Sequence, residues 1–330
     1  MDKRIKNLFN QSILDEAATC FGINSSQLTD IGGFENYIYQ YTKNDTDYIL
    51  RISHSYHRSH DMVESELDFV AFLANNHAPV SIPIPSQNNR LVERIIAQDG
   101  SYFTVTSYVK ASGNPPKRSD GNEKLFYEYG KTIGTFHRLT KEYQPKDSIV
   151  ERFTWDEDPL LVHMSEFLPP DDQIINQKYL TLRKRLNKLN KTKQNYGLIH
   201  TDVHMGNFFV DDNQLCVFDF DDCAYQWFIS DIAIVLFYYL VNVNEEEQAE
   251  KGKSLMVPFL EGYFTENSLS KKEFQYFDLF LKLREIVLYA VLFQDNEIER
   301  SKFAKKYVEN HRDKIIHDLP VFAFDIRNVL

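Results

Sequence analysis

The stretch His200-Thr201-Asp202-Val203-His204-Met205-Gly206-Asn207, followed by Val217-Phe218-Asp219-Phe220-Asp221, constrains this chain more than any other segment. Phe208-Phe209-Val210 and Leu215-Cys216-Val217-Phe218 read as two short strands around the turn Asp211-Asp212-Asn213-Gln214. Tyr196 to His200 reads as an apolar approach ending in a turn, and Gly206 gives the intervening loop backbone freedom. A hairpin here is expected to fold Asp219 back beside Asn207, so that two oxygen ligands distant in sequence could share one ion.

An Asp, an Asn and a second Asp in this order form the layout by which phosphoryl-transfer sites supply a base and hold Mg²⁺ on nucleotide phosphates. That chemistry asks for little covalent work from the protein, so a few oxygen ligands at fixed spacing carry most of the site. A second reading makes His200-x-Asp202-x-His204 a metal clamp, with Asp219, Asp221 and Asp222 completing a dinuclear hydrolase centre. Residues 200, 202 and 204 would point to one side of an extended segment. This second reading gives Asn207 no role and leaves the N-terminal third without a purpose.

The 330 residues suit one large domain or two lobes around a cleft, and 43% hydrophobic content allows a sizeable core. A net charge of −11 argues against nucleic acid as the main partner, because phosphate backbones require basic surface. The three cysteines, Cys20, Cys216 and Cys223, form no pairing framework and point to a reducing compartment. Met1 to Asn10 is mostly polar and reads as no signal peptide. The longest apolar segment, Ile232 to Val243, is too short to span a bilayer. A cytoplasmic protein without a membrane partner is expected; the oligomeric state is not legible.

The first hundred residues read as β-rich. Tyr37 to Tyr41 and Tyr48 to Ile52 are expected strands joined by the turn 43–47, and Ile31-Gly32-Gly33-Phe34-Glu35-Asn36 precedes them. A helix is expected over 58–75, ended by the Pro-rich stretch 79–85, and then strands over 90–96 and 102–109. The polar linker 110–120 divides an N-terminal lobe, 1–109, from a helical lobe, 110–330. Helices are expected near 122–141, 158–189, 229–242, 246–264, 271–293 and 298–314, giving an α+β chain of two lobes.

On these residues the chain resembles the aminoglycoside phosphotransferase and choline kinase family, which has a bilobal protein-kinase-like fold. His200 to Asn207 is very similar to that family's His-Gly-Asp-x-His-x-Gly-Asn form, and the likeness covers roughly residues 25–295. The resemblance implies an ATP- and Mg²⁺-dependent phosphotransferase acting on a hydroxyl of a small molecule. It implies Asp202 as the catalytic base and Asn207 and Asp219 as metal ligands. Asp221, where a protein kinase has Gly, is a candidate for a second metal or for the acceptor. His200 and His204 are expected to serve the loop backbone.

In the small lobe, the resemblance implies that Arg51 holds phosphates, with Glu66 as its helix partner; a solvated strand arginine is the bland alternative. Gly32 and Gly33 suit a loop over phosphates or a plain tight turn. Ser107 and Val109 would lie in a hinge that pairs with adenine through its backbone, unless they sit on an edge strand. Asp231 suits a helix cap or a brace for the catalytic loop, and Arg284 an acidic acceptor or an internal ion pair. The same fold acting on protein side chains, and a non-catalytic nucleotide-binding module, are the rival functions.

Overall fold

The computed structural model describes residues 3–117, 121–294 and 301–330. The end of the linker expected at 110–120 and the start of the helix expected at 298–314 lie outside them. The chain forms two compact units. Unit 1 is 1–113, 143–152 and 216–221; unit 2 is 114–142, 153–215 and 222–330.

Unit 1 is built on an antiparallel sheet. Its strands are β1 (Thr29–Gly32), β2 (Tyr37–Lys43), β3 (Thr46–His54), β4 (Pro83–Ile84), β5 (Glu93–Ile96) and β6 (Tyr102–Val109), in the order β1-β2-β3-β6-β4 with β5 also on β6. Asn44 and Asp45 close the β2–β3 hairpin with φ of 51° and 60°, left-handed values that Asn and Asp tolerate in two-residue turns. Strand alternation sends Leu50, Ile52, Phe103 and Val105 to one face, where they share a core with Ile5, Ile13, Ala17 and Phe21.

Those last residues come from two helices that the β-rich reading missed, α1 (Lys3–Leu8) and α2 (Gln11–Cys20). Their signal was present: Asn10 accepts from Ser12 N (3.0 Å) and Ile13 N (3.3 Å) as an N-cap, and Ile13 and Ala17 fall one turn apart. Helix α3 (His60–Asn75) is capped by Ser59 and packs Val63 and Leu67 with Val92 and Tyr108. Two segments from the C-terminal two thirds complete the unit. Tyr143 and Lys146 reach Asp68 on α3 at 3.0 and 2.8 Å, and Val217 N donates to Pro79 O at 2.8 Å.

Unit 2 is mainly helical: α4 (Glu123–Thr140), α5 (Pro159–Val162), α6 (Met164–Phe167), α7 (Gln173–Leu186), α8 (Phe228–Leu240), α9 (Glu245–Glu266), α10 (Phe277–Gln294) and α11 (Lys302–Ile316). The single helix expected over 158–189 is therefore three: the chain breaks at His163, and Pro169 and Pro170, which carry no N–H, stop α6 from running into α7. Helix α8 is apolar on nearly every side and buried along its length. Helices α4 and α9 cross at a glycine contact: a methyl on Gly130 would lie 1.8 Å from Phe259 O, and one on Gly262 1.9 Å from Tyr127 O. Strand β7 (Tyr196–Ile199) pairs antiparallel with β10 (Ala224–Trp227), which sequence reasoning also missed. Between them β8 (Phe208–Asp211) and β9 (Gln214–Val217) pair as a hairpin around Asp212 and Asn213, and the chain passes into unit 1 along β9. No described helix is long and apolar enough to cross a membrane.

Candidate active site

In unit 2, β7 delivers the chain into the 200–207 loop through Thr201, a β-branched residue held at φ 63°. The buried carboxylate of Asp231, in the first turn of α8, stabilises that conformation. It accepts from Thr201 N (2.9 Å) and His200 N (3.3 Å), and His137 Nε2 of α4 approaches it at 3.1 Å. His137 is stacked on Phe228 and bonded to Tyr263 Oη (2.9 Å), so two helices fix the brace. Asp231 thus braces the loop. His137 was not singled out from sequence, because nothing in a helix histidine signals a partner so distant along the chain.

Asp202 is engaged on both carboxylate oxygens. Oδ1 accepts from Arg284 Nη2; Oδ2 lies 3.1 Å from Asn207 Nδ2 and 3.4 Å from His204 Nε2. Burial pushes the Asp202 carboxyl up, but Arg284, with His204 and His200, outweighs it and holds the group at about 2. Arg284 also donates to Tyr238 Oη, and its guanidinium lies 4.8 Å from that ring. Of the two readings of Arg284, the internal ion pair is the one present, and its partner is Asp202 itself. Tyr238, unnoticed in sequence, also packs against His204 at 4.5 Å.

The one-sided His-Asp-His clamp does not form. Thr201 breaks the extended path, His200 Nδ1 accepts from Asp202 N (3.3 Å), and His204 Nδ1 accepts from Gly206 N (2.9 Å). Both rings serve the loop backbone. Among the described residues, the His/Cys/Asp/Glu groups close enough to share an ion do not include this triple.

In unit 1, Arg51 is buried and pairs bidentately with Glu66, Nη1–Oε1 at 2.8 Å and Nη2–Oε2 at 2.7 Å. The Tyr108 ring lies 5.5 Å from the guanidinium. A solvated Arg51 is excluded. Asp221 is also buried: Oδ2 meets His57 Nε2 at 2.5 Å, and Arg51 Nη1 and Arg58 Nε stand 4.0 and 3.9 Å from its oxygens. Arg152 binds its carbonyl. Burial opposes ionisation of Asp221, but His57, Arg58 and Arg51 keep its carboxyl well below the usual range. Burial depresses His57 in turn, yet Asp221 and Glu35 (3.2 Å) carry it up to about 9. Glu35, His57 and Asp221 form an ion-pair cluster whose ligand atoms lie within 4.8 Å of one another, close enough to share a metal ion if His57 gives up its proton. The Asp221 carboxylate is a counter-ion to these cations. His57 and Arg58 lie in the turn between β3 and α3, Arg152 comes from a distant segment, and none of them carried a motif.

Gly32 ends β1 opposite Ile38 and Gly33 opens the loop to β2, with φ of 89° and 153°, and a methyl on Gly33 would lie 2.0 Å from Asn36 O. The hinge expectation needs revision. β6 is paired on both edges, by β3 and by β4 and β5, so it is not an edge strand. Ser107 is buried with its hydroxyl on Ile49 O and Tyr41 Oη, both at 2.9 Å. Val109 N donates to Ile82 O (2.8 Å), and its carbonyl accepts from Ser81 Oγ (2.6 Å).

The donor set fits a hard cation at two of the expected positions. Asn207 Nδ2 donates to Asp202 O (2.9 Å) as well as Oδ2, which leaves the amide oxygen as the atom to meet a metal. Asp219 is held at φ 65°, a strained conformation that tends to mark functional positions. Asn207 belongs to unit 2 and Asp219 to unit 1.

The sequence model of the phosphotransferase enzyme family matches residues 28–256. Amicoumacin kinase of Bacillus subtilis (strain 168) is 35% identical over 328 residues, 98% of this chain and 97% of that protein. The solved structure of amicoumacin kinase hAmiN in complex with AMP-PNP, Ca²⁺ and Ami superposes with a TM-score of 0.93 at 33% identity, covering 100% of both chains. A microcompartment-associated aminopropanol kinase, 20% identical, shares the fold with a TM-score of 0.73 over 94% of this chain and 98% of that one. With its family model matched over more than half of its length, the chain belongs to the phosphotransferase enzyme family.

Proposed function

We propose that this ATP-dependent small-molecule kinase moves the γ-phosphoryl group of ATP to an acceptor hydroxyl held at Asp202, and that amicoumacin is the acceptor to test first. The observation that carries the reading is the Asp202–Asn207 pair, in which one carboxylate is oriented by the side chain five residues on. As the acceptor oxygen bonds to the γ-phosphorus and the bond to ADP breaks, an oxygen of Asp202 takes the hydroxyl proton. A carboxyl held at about 2 is a weak base, so Asp202 mainly orients the hydroxyl and receives the proton late. Arg51, fixed by Glu66, is the proposed contact to the nucleotide phosphates, below the loop that Gly33 opens. With the N–H groups of Val109 and Lys110 engaged, on Ile82 O and Asp47 O, adenine is proposed to pair with the backbone just beyond them, at Ala111.

Asn207 and Asp219 are the proposed metal ligands; Mg²⁺ bound there would neutralise charge on the phosphates. The choice of amicoumacin rests on the two amicoumacin kinases that match nearly the whole chain. ADP release should be measured with ATP and Mg²⁺ against amicoumacin and a panel of amino alcohols, hydroxy amides, aminoglycosides and sugars. Acceptor-dependent ADP release and a phosphorylated product are expected. ADP release no higher than the acceptor-free background, or ester hydrolysis supported by Zn²⁺ without ATP, would overturn the reading.

A further inference from the structure

We infer that Thr201 is a positioning residue for the reaction: its hydroxyl fastens the first turn of the 200–207 loop to the backbone of Asp222 and so keeps Asp202 on its Arg284–Tyr238 support. This role rests on the phosphotransfer reading above and adds to it the residue that sets the geometry of the proposed base.

A β-branched side chain at φ 63° is strained, whereas glycine takes such a backbone freely. A conformation of this kind persists only where its surroundings over-determine it. Here they do so from three directions. Thr201 N donates to Asp231 Oδ1 at 2.9 Å, Arg284 Nη1 lies 3.5 Å from Thr201 O, and Thr201 Oγ1 donates to Asp222 O at 2.6 Å. The first two contacts use backbone atoms that glycine would also supply. The third needs a hydroxyl.

Strand register explains what that hydroxyl does. Strands β7 and β10 pair Leu198 with Tyr225 and Ile199 with Ala224, so the same pairing carried two residues further sets Thr201 opposite Asp222. The N–H groups of His200 and Thr201 cannot extend the ladder, because both turn to Asp231. The threonine hydroxyl takes the place of the diverted N–H at Asp222 O.

Holding Asp222 matters because its carboxylate acts on Arg284. Burial works against the guanidinium charge, but Tyr238, Asp202 and Asp222 outweigh it and push the Arg284 pKa up. Arg284 in turn donates to Asp202 Oδ1 and to Tyr238 Oη. The hydroxyl therefore closes a ring that runs from Thr201 to Asp222, to Arg284 and to Asp202, the next residue in the chain. Without it the turn before Asp202 and the Asp222 backbone lose their common anchor. A displacement of about 1 Å in a reacting group can cost on the order of 10² in rate.

The test compares Thr201→Val, Thr201→Gly and Thr201→Ser, with ATP, Mg²⁺ and the panel acceptor that wild type turns over fastest. Thr201→Val keeps the branch and its strain but loses the hydroxyl, Thr201→Gly loses both, and Thr201→Ser keeps the hydroxyl. Rates are taken per folded enzyme, below the melting transition of every variant. Thr201→Val and Thr201→Gly should lower kcat about fivefold or more with KM for ATP near wild type, and Thr201→Ser should recover most of the rate. Backbone hydrogen exchange across 200–207 should quicken in Thr201→Val and Thr201→Gly and stay near wild type in Thr201→Ser. A smaller loss of kcat in Thr201→Gly overturns the inference, as does Thr201→Ser falling as far as Thr201→Gly, or exchange that no variant changes. Should Thr201→Val not fold, the glycine and serine substitutions decide alone, because Thr201→Gly relieves the strain. If wild type releases no ADP with any acceptor, the phosphotransfer reading has failed and takes the kinetic role with it, while hydrogen exchange still reports whether the hydroxyl holds the loop.

Discussion

At the scale of single residues, the two charged centres differ in what their loss should cost. Asp202→Ala removes the group that orients the hydroxyl, and turnover should fall by about 10²–10⁴. KM for ATP should stay near wild type. Retention of more than about a tenth of wild-type turnover would remove Asp202 from its role. Arg51→Ala is a different experiment, since it leaves Glu66 buried without its partner. Breaking such a pair costs about 3–5 kcal/mol, so the variant should melt early as well as bind ATP weakly. Arg51→Lys should recover part of both losses, because charge survives while the bidentate geometry does not. Nucleotide titration on the lysine variant separates the two effects, and wild-type affinity there would argue against a phosphate contact. Residues on a periodic pattern were legible: alternation placed Arg51 opposite Leu50 and Ile52, while Glu66 as its partner came from the family resemblance. His57, Arg58, Arg152 and Tyr238 were not legible, because their positions follow from tertiary packing and from no local pattern.

At the scale of elements, strands and most helices could be read from apolar periodicity, while short or interrupted ones could not. Helices α1 and α2 were lost inside a β-rich region, and the Leu168-Pro169-Pro170 break was overridden by the helical residues around it. The α4–α9 crossing was hidden too, since a glycine in a helix reads as a weakness until its neighbour is known. Gly130→Ala should gain roughly 1 kcal/mol of helix propensity. It must also push a methyl into Phe259 O, and overpacking costs typically 1–3 kcal/mol. Overpacking should win, and a lowered melting temperature would report it; an unchanged or raised one would mean that the helices separate freely. The turn between β3 and α3 carries a pH-dependent contribution. His57 is raised from 6.5 to about 9, so its pairing stabilises the fold fully below pH 6.5 and is lost as pH rises through 9. Denaturation at pH 6.5 and 9.5 should show a drop that His57→Gln abolishes.

At the scale of the whole molecule, adjacency in sequence and membership of a unit diverge. Asp202 and Asn207 belong to unit 2, while Asp219 and Asp221 belong to unit 1, because the chain changes unit along β9. Sequence reasoning recovered the order of the candidate ligands, but it drew one boundary where the chain passes between units repeatedly. If Asn207 and Asp219 hold the metal, Mg²⁺ with AMP-PNP should raise the melting temperature. Ligand at a hundred times its Kd stabilises by about 2.7 kcal/mol. Asn207→Ala and Asp219→Ala should each need more Mg²⁺ for the same rise, and a wild-type Mg²⁺ dependence in both would dismiss the assignment. The doubly paired β6 also bears on inhibitor chemistry. A heterocycle designed to take the N–H of Val109 would have to compete with the Ile82 carbonyl already bonded there. Scaffolds that dock on the last residue of this strand should therefore fail on this enzyme, and since Lys110 N is also bonded, to Asp47 O, selective ones should be sought among compounds that grip the backbone two residues farther out.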